Sequence, residues 1–168
     1  MLKGKIIITE VSYKLFFDAQ INTSYGAIQQ ELAIRAISNP TIKDISAVVS
    51  HIRVNKLPDP STIGNAGSFF KNPIIEVGKF IQLQSAFPDI VHYCLPDSTI
   101  KLAAGWLIEQ CGWKGVSIND AGIWKNQALV LVNHGNATGS AIYSLSSSII
   151  HDVKSKFDVL LEREVNIF

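Results

Sequence analysis

From Gly4 to Phe17 (GKIIITEVSYKLFF) apolar and polar positions partly alternate, with Val11, Tyr13 and Leu15 on one face and Ser12, Lys14 and Phe16 on the other. That period predicts a β-strand. A strand so close to the first methionine needs partners, and if they lie upstream it leaves an incomplete sheet edge, so the pattern points to a truncated start. The period then lengthens. Ser24 is placed to cap a helix over Tyr25 to Ile37, and Thr41 to cap one from Ile42 to about Arg53, where Ile42, Ile45, Val48, Val49 and Ile52 recur at helical spacing. Leu57-Pro58-Asp59-Pro60 cannot continue that helix, because each proline lacks a donor and biases the residue before it towards extended geometry. A boundary is expected between 56 and 57.

Ser61 to Pro73 reads as a loop dense in glycine and asparagine. Ile75 to Phe87 reads as a helix closed by Pro88, and Ile100 to Cys111 as another with Leu102, Ala103, Trp106 and Leu107 inward, ended by Gly112 and Gly115. Ala121 to Trp124 predicts a short strand and Gln127 to Val132 a buried one, followed by a turn at His134-Gly135-Asn136. Thr138 can cap a long helix with Ile142, Leu145, Ile149, Val153 and Phe157 in one stripe and Ser146 to Ser148 on its polar face. Val159 to Phe168 finishes as a strand. The order is that of an α+β fold.

Composition narrows the class. The 168 residues suffice for one domain, or one and part of another, and 47% hydrophobic against 17% charged residues describe a globular chain. A formal charge of +1 leaves no footprint for a nucleic-acid backbone or an anionic membrane. The apolar runs fall far short of the roughly 20 residues of a spanning helix, and no cleavage site follows Met1 to Lys5. Cys94 and Cys111 are too few for a disulfide framework or a four-thiolate metal site, which suits the cytoplasm. His92 and Cys94 lack further ligands at sensible spacing, since His51, His134 and His151 lie in unrelated elements, and no metal is expected. Cys111, beside an apolar helix, reads as packing. Phosphate-loop, zincin, C-x-x-C and nicotinamide signatures are absent.

The stretch Gly64-Asn65-Ala66-Gly67-Ser68-Phe69-Phe70-Lys71-Asn72-Pro73 stands apart. Its glycines let the backbone approach a ligand, while Ser68, Lys71 and Asn72 offer donors for an anion. The same stretch also reads as a plain connection with Phe69 and Phe70 tucked into the core. Residue chemistry leaves both readings open.

Longer strings go further. K-L-P-D-P followed by G-N-A-G-S-F-F-K-N-P (Lys56 to Pro60, Gly64 to Pro73), K-L-A-A-G-W-L-I-E-Q-C (Lys101 to Cys111), Q-A-L-V-L-V-N (Gln127 to Asn133) and L-E-R-E-V (Leu161 to Val165) closely resemble the MurB family of UDP-N-acetylenolpyruvoylglucosamine reductases. Ser24-Tyr25-Gly26 and Arg53-x-x-Lys56 resemble the variant with a substrate-covering tyrosine segment. The resemblance implies a C-terminal fragment, with residues 1–56 a remnant of the FAD-binding domain that includes the Tyr25 segment, and 57–168 the substrate-binding domain, a mixed or antiparallel sheet covered by helices. It implies a bacterial, cytoplasmic oxidoreductase of peptidoglycan synthesis that uses FAD and NADPH to convert UDP-N-acetylglucosamine enolpyruvate to UDP-N-acetylmuramate. In that family most FAD contacts and an assisting arginine lie upstream of anything matched here, so the fragment alone is expected to be inactive and to bind no FAD. The parent is expected to be monomeric, and the fragment free to self-associate through its incomplete sheet.

Residue by residue, the resemblance makes Ser68 the proton donor to the enol and Glu164 the catalytic glutamate near the substrate carboxylate. A serine is so weak an acid that the acceptor must be a strongly basic enolate. Without the resemblance, Glu164 reads as an exposed strand glutamate paired with Arg163 or a lysine. Lys56 and Arg53 match contacts to the diphosphate, with amide donors from Asn72, the phenol of Tyr25 and a lining role for Gln127. Asn166 departs from the family, which often carries arginine there. The competing class is a non-redox module that grips a UDP-sugar.

Overall fold

A computed structural model describes residues 6–17 and 20–167. The chain divides into two units, with the division after Ile52.

The first unit holds helix α1 (Gly26–Ile34) and most of α2 (Ile42–Lys56). Ser24 does not cap α1: its hydroxyl donates to Asn22 Oδ1 at 2.7 Å, and Tyr25 takes the N-cap position without a side-chain bond. The helix stops short of Ile37 because Ala36 turns left-handed (φ 53°) and Ile37 N–H closes back on the Leu32 carbonyl at 3.0 Å. Thr41 does cap α2. Its Oγ1 accepts the Asp44 N–H at 3.3 Å, while Asp44 Oδ2 accepts the Thr41 N–H at 2.8 Å, a reciprocal capping box. The helix continues a turn past Arg53 to Lys56, just before Leu57 and Pro58.

The first expected strand is a correction. Gly4 and Lys5 lie outside the described residues, and Ile6 to Phe17 joins no ladder among them. Alternation gives a segment the faces of a strand, but only a partner makes one, and here Ile7, Tyr13 and Leu15 stay exposed.

The second unit holds two antiparallel sheets. Strands β1 (Gly64–Ser68), β7 (Val130–Asn133), β6 (Ala121–Ile123) and β5 (Ser117–Ile118) form one in that order, and β2 (Ile74–Glu76), β4 (Thr99–Leu102) and β3 (His92–Cys94) the other. Helices α3 (Val77–Ala86), α4 (Ala104–Gln110) and α5 (Gly139–Phe157) complete an α+β fold. Phe70, Leu102, Leu107, Ile108, Ile149, Val153 and Phe157 are almost fully buried at its centre. Burying each such side chain contributes about 1.5–3 kcal/mol.

Several expectations change here. Gly64 to Ser68 is an edge strand, pairing only with β7, and a bulge at Ala66 and Gly67, with Gly67 at φ +71°, separates the Gly64–Asn65 pairing from that of Ser68. Ile100 to Leu102 is strand, not helix, since Ile75 and Ile74 on β2 pair with Ile100 and Lys101 and His92 on β3 with Leu102, so α4 starts only at Ala104 and α3 at Val77. β7 starts at Val130, later than expected. From Val159 the tail makes a single bridge, Phe70 to Arg163, in place of a full strand, with Phe168 outside the described residues. Thr138 caps α5 by accepting the Ala141 N–H at 3.1 Å. Ser146 is fully buried, against its expected place on the polar face.

Among the described residues no helix is long and apolar enough to cross a membrane.

Candidate functional site

Ser68 ends β1 on the far side of the bulge. Asn65 shapes that bulge by accepting the Gly67 N–H at 3.1 Å and donating its amide to the Ile63 carbonyl at 3.1 Å. Buried Phe69 and Phe70 anchor the strand end, and Phe69 N–H donates to the Leu129 carbonyl at 2.8 Å. Ser68 remains exposed, and among the described residues its hydroxyl has no partner. The Gly64 to Pro73 segment therefore tucks Phe69 and Phe70 into the core, as its plainer reading expected, and leaves the Ser68 hydroxyl exposed.

Glu164 comes to the same place from the other end of the unit. Its N–H donates to the Phe69 carbonyl at 2.9 Å, one residue from Ser68, and Lys71 N–H donates to the Glu162 carbonyl at 2.9 Å. The Glu164 carboxylate is exposed and has no ion-pair partner among the described residues. Arg163 does not pair with it. Its guanidinium is turned to α5, where Nε donates to Ser146 Oγ at 2.7 Å and Nη2 to Ser147 Oγ at 2.6 Å. Lys71, a candidate anion donor, is instead bound to the Glu162 carboxylate.

Two amides gather at the start of α4. Asn72 Oδ1 accepts the Ala104 N–H at 2.9 Å. Gln127 Oε1 accepts the Leu129 N–H at 3.3 Å and lies 3.1 Å from where a Cβ on Gly105 would stand. With both oxygens engaged by backbone, each side chain keeps its NH2 as the group to offer a ligand. Leu129 links the parts, its carbonyl on Phe69 and its N–H on Gln127.

Lys56 is held by residues that sequence reasoning missed. Trp124 Nε1 donates to the Lys56 carbonyl at 3.1 Å and Asn126 Nδ2 to the Asn55 carbonyl at 2.8 Å, so the β6–β7 turn receives the end of α2. An indole carries one N–H donor, which is the group Trp124 offered. The Lys56 ammonium is exposed and unpaired among the described residues; Arg53, one turn earlier, is exposed too. Tyr25 belongs to the first unit and is exposed. Within the second unit, then, Ser68, Glu164, Asn72, Gln127 and Lys56 are tied together through Phe69, Leu129, Ala104 and Trp124.

Elsewhere, His92 sets its Nδ1 2.9 Å from the Ile90 carbonyl and its ring against Phe80. Burial pushes the Cys111 thiol up from its ordinary pKa, as suits a packing residue. A cleft of about 350 Å³ between the β5–β6 turn and the start of α5, lined by Asp120, Asn136 and Ser144 among others, contains none of these site residues.

Residues 59–168 match the family described as UDP-N-acetylenolpyruvoylglucosamine reductase, C-terminal domain. The chain belongs to this family. Curated relatives called UDP-N-acetylenolpyruvoylglucosamine reductase include one from Flavobacterium johnsoniae, 50% identical over 99% of this chain and 50% of its own length, and one from Pseudomonas fluorescens, 46% identical over 97% and 48%. The chain spans about half the length of these relatives. A solved reductase from Thermus caldophilus aligns at TM-score 0.42 and 23% identity over 74% of this chain and 34% of its own, too distant to bear on the fold. The match to the reductase C-terminal domain runs from Asp59 through every site residue of the second unit except Arg53 and Lys56.

Proposed function

We propose that this chain is the C-terminal part of a bacterial, cytoplasmic UDP-N-acetylenolpyruvoylglucosamine reductase that makes UDP-N-acetylmuramate, a peptidoglycan precursor. The observation that carries the reading is the backbone bond from Glu164 to Phe69, the residue after Ser68, with the serine hydroxyl and the glutamate carboxylate both exposed and without a partner among the described residues. The names of the relatives support the same reaction.

The residues present suit a diphosphate sugar and an enol rather than a flavin. Among them a cation and two amide NH2 groups accompany the hydroxyl and carboxylate, with no glycine-rich strand-to-helix turn for a dinucleotide. FAD, reduced by NADPH, would supply the hydride when bound. Lys56, with Arg53 beside it, meets the diphosphate, and the Asn72 and Gln127 amides orient the sugar. Ser68 then delivers its proton to the enol carbon, and Glu164 stands near the substrate carboxylate.

The test is made in the complete reductase, by rapid mixing. Ser68→Ala should leave flavin reduction by NADPH intact and slow the half-reaction with enolpyruvyl substrate about 10³-fold. Equal slowing of both halves would make Ser68 structural. Slowing of neither would remove Ser68 as the proton donor.

A further inference from the structure

We propose that Arg163 is a positioning residue, which fixes the segment bearing Glu164 against the strand end bearing Ser68. This deepens the reductase reading above and rests on it.

The guanidinium is held on three sides. Nε donates to Ser146 Oγ at 2.7 Å, Nη2 donates to Ser147 Oγ at 2.6 Å, and the group lies 4.2 Å from the centre of the Tyr143 ring. Both hydroxyls are already oriented to receive it. Ser146 and Ser147 each donate to the Tyr143 carbonyl, at 2.7 and 3.0 Å, which directs their protons away and their lone pairs towards Arg163. Ser146 is fully buried, so the Nε bond sits at the sheltered end of the network, where it counts for more, while Tyr143 keeps its ring partly exposed.

No carboxylate shares in it. Among the described residues the Arg163 charge is met by hydroxyls and an aromatic face, and the neighbouring Glu164 is left without a cation. An arginine paired with the adjacent glutamate would neutralise the carboxylate and turn it out of the site; one anchored on α5 leaves it available. The anchor also lies at the single bridge between tail and strand, Phe70 to Arg163, flanked by the Glu164 to Phe69 and Lys71 to Glu162 bonds. From Val159 onward that bridge, its flanking bonds, the Lys71–Glu162 ion pair and the buried Val159 and Leu161 tie the tail to the Ser68 segment, and a clamp at Arg163 acts at the bridge itself, one residue before Glu164. Lysine cannot do the same, having one point charge where the fork serves two acceptors and stacks besides.

Two measurements separate this proposal from the reading beneath it. In the 168-residue chain, Arg163→Met should speed hydrogen exchange at the Glu164 and Lys71 amides about tenfold or more over that at Ile149 on α5, since the bridge opens locally. Unchanged protection overturns the proposal. Should Arg163→Met fail to fold, Ser147→Ala, which removes one half-buried acceptor, should raise the same two exchange rates by a smaller factor, and no rise there overturns it equally. In the complete reductase, Arg163→Met should lower kcat of the enolpyruvyl half-reaction about tenfold or more with KM nearly constant, and Arg163→Lys should recover part of the loss. A variant that melts earlier but turns over normally overturns it. Glu164→Gln serves as the control for the reading: if that variant alone is fully active, the glutamate's role falls, while the exchange result still judges the clamp.

Discussion

The indole N–H of Trp124 lies 3.1 Å from the carbonyl of Lys56, at the last residue of α2. Together with the Asn126 to Asn55 bond, it caps a helix end from a distant turn, so the base of the Lys56 side chain is fixed while its ammonium is free to meet a ligand. Trp124→Phe keeps most of the apolar surface and removes the donor. It should cost about 1 kcal/mol in a denaturant melt and weaken binding of UDP-N-acetylglucosamine by calorimetry. Unaltered binding would mean that Lys56 needs no such support.

Lys56→Ala should weaken the same ligand about tenfold at low ionic strength, as loss of a charge-assisted phosphate contact does. The gap between variant and wild type should narrow as salt rises, because the exposed ammonium is screened. Equal affinities at low salt would place the diphosphate elsewhere.

Gly105→Ala separates stability from binding. Its new methyl would stand 3.1 Å from Gln127 Oε1 and 3.5 Å from Leu129 Cγ, so the flexible amide must yield by a few tenths of an ångström. In a helix alanine is favoured over glycine by about 1 kcal/mol, which should hold the melting temperature level or raise it. Affinity for the UDP-sugar should fall nonetheless. A variant that binds as well as wild type would remove Gln127 from the site.

Asp158 closes α5 in a left-handed conformation (φ 53°) between Lys154 and Lys79, whose hydrogen bonds, Lys154 first, hold its carboxyl down to about 2. A depressed carboxyl stabilises the fold above its unfolded pKa, near 3.8, and that contribution is lost as pH falls through about 2. Asp158→Asn tolerates the same backbone and removes the charge. It should melt slightly earlier than wild type at pH 7, with the difference fading between pH 4 and pH 2. A difference that persists at pH 2 would put the effect in the backbone and not the charge.

How much of this was readable in advance depended on whether a local rule decided the outcome. Thr41 and Thr138 cap their helices because capping needs only a hydroxyl and the next turn. The buried stripe of α5 followed from period alone. Ser24 failed because Asn22, two residues away, took its hydroxyl. Ile100 to Leu102 carries a pattern that suits helix or strand over so short a run, and only β2 and β3 alongside decided it. Ser146 to Ser148 read as polar surface, since nothing local announces that an arginine further along the chain will bury the first of them. For the site, residue types and strings named Ser68, Glu164, Asn72, Gln127 and Lys56, whereas the groups that bring them together, Trp124, Leu129 and Arg163, act through backbone atoms or long-range bonds that leave no periodic trace.

The bridge between the tail and the Ser68 segment also sets an order of assembly. The Lys71 to Glu162 contact beside it spans 91 positions, a closure that forms late because so long a loop must be ordered first. During synthesis Lys56, Ser68 and Asn72 leave the ribosome long before Glu164 exists. The tail can therefore join the Ser68 segment only after the rest of the unit has been made, and an unfinished chain displays the hydroxyl without the carboxylate.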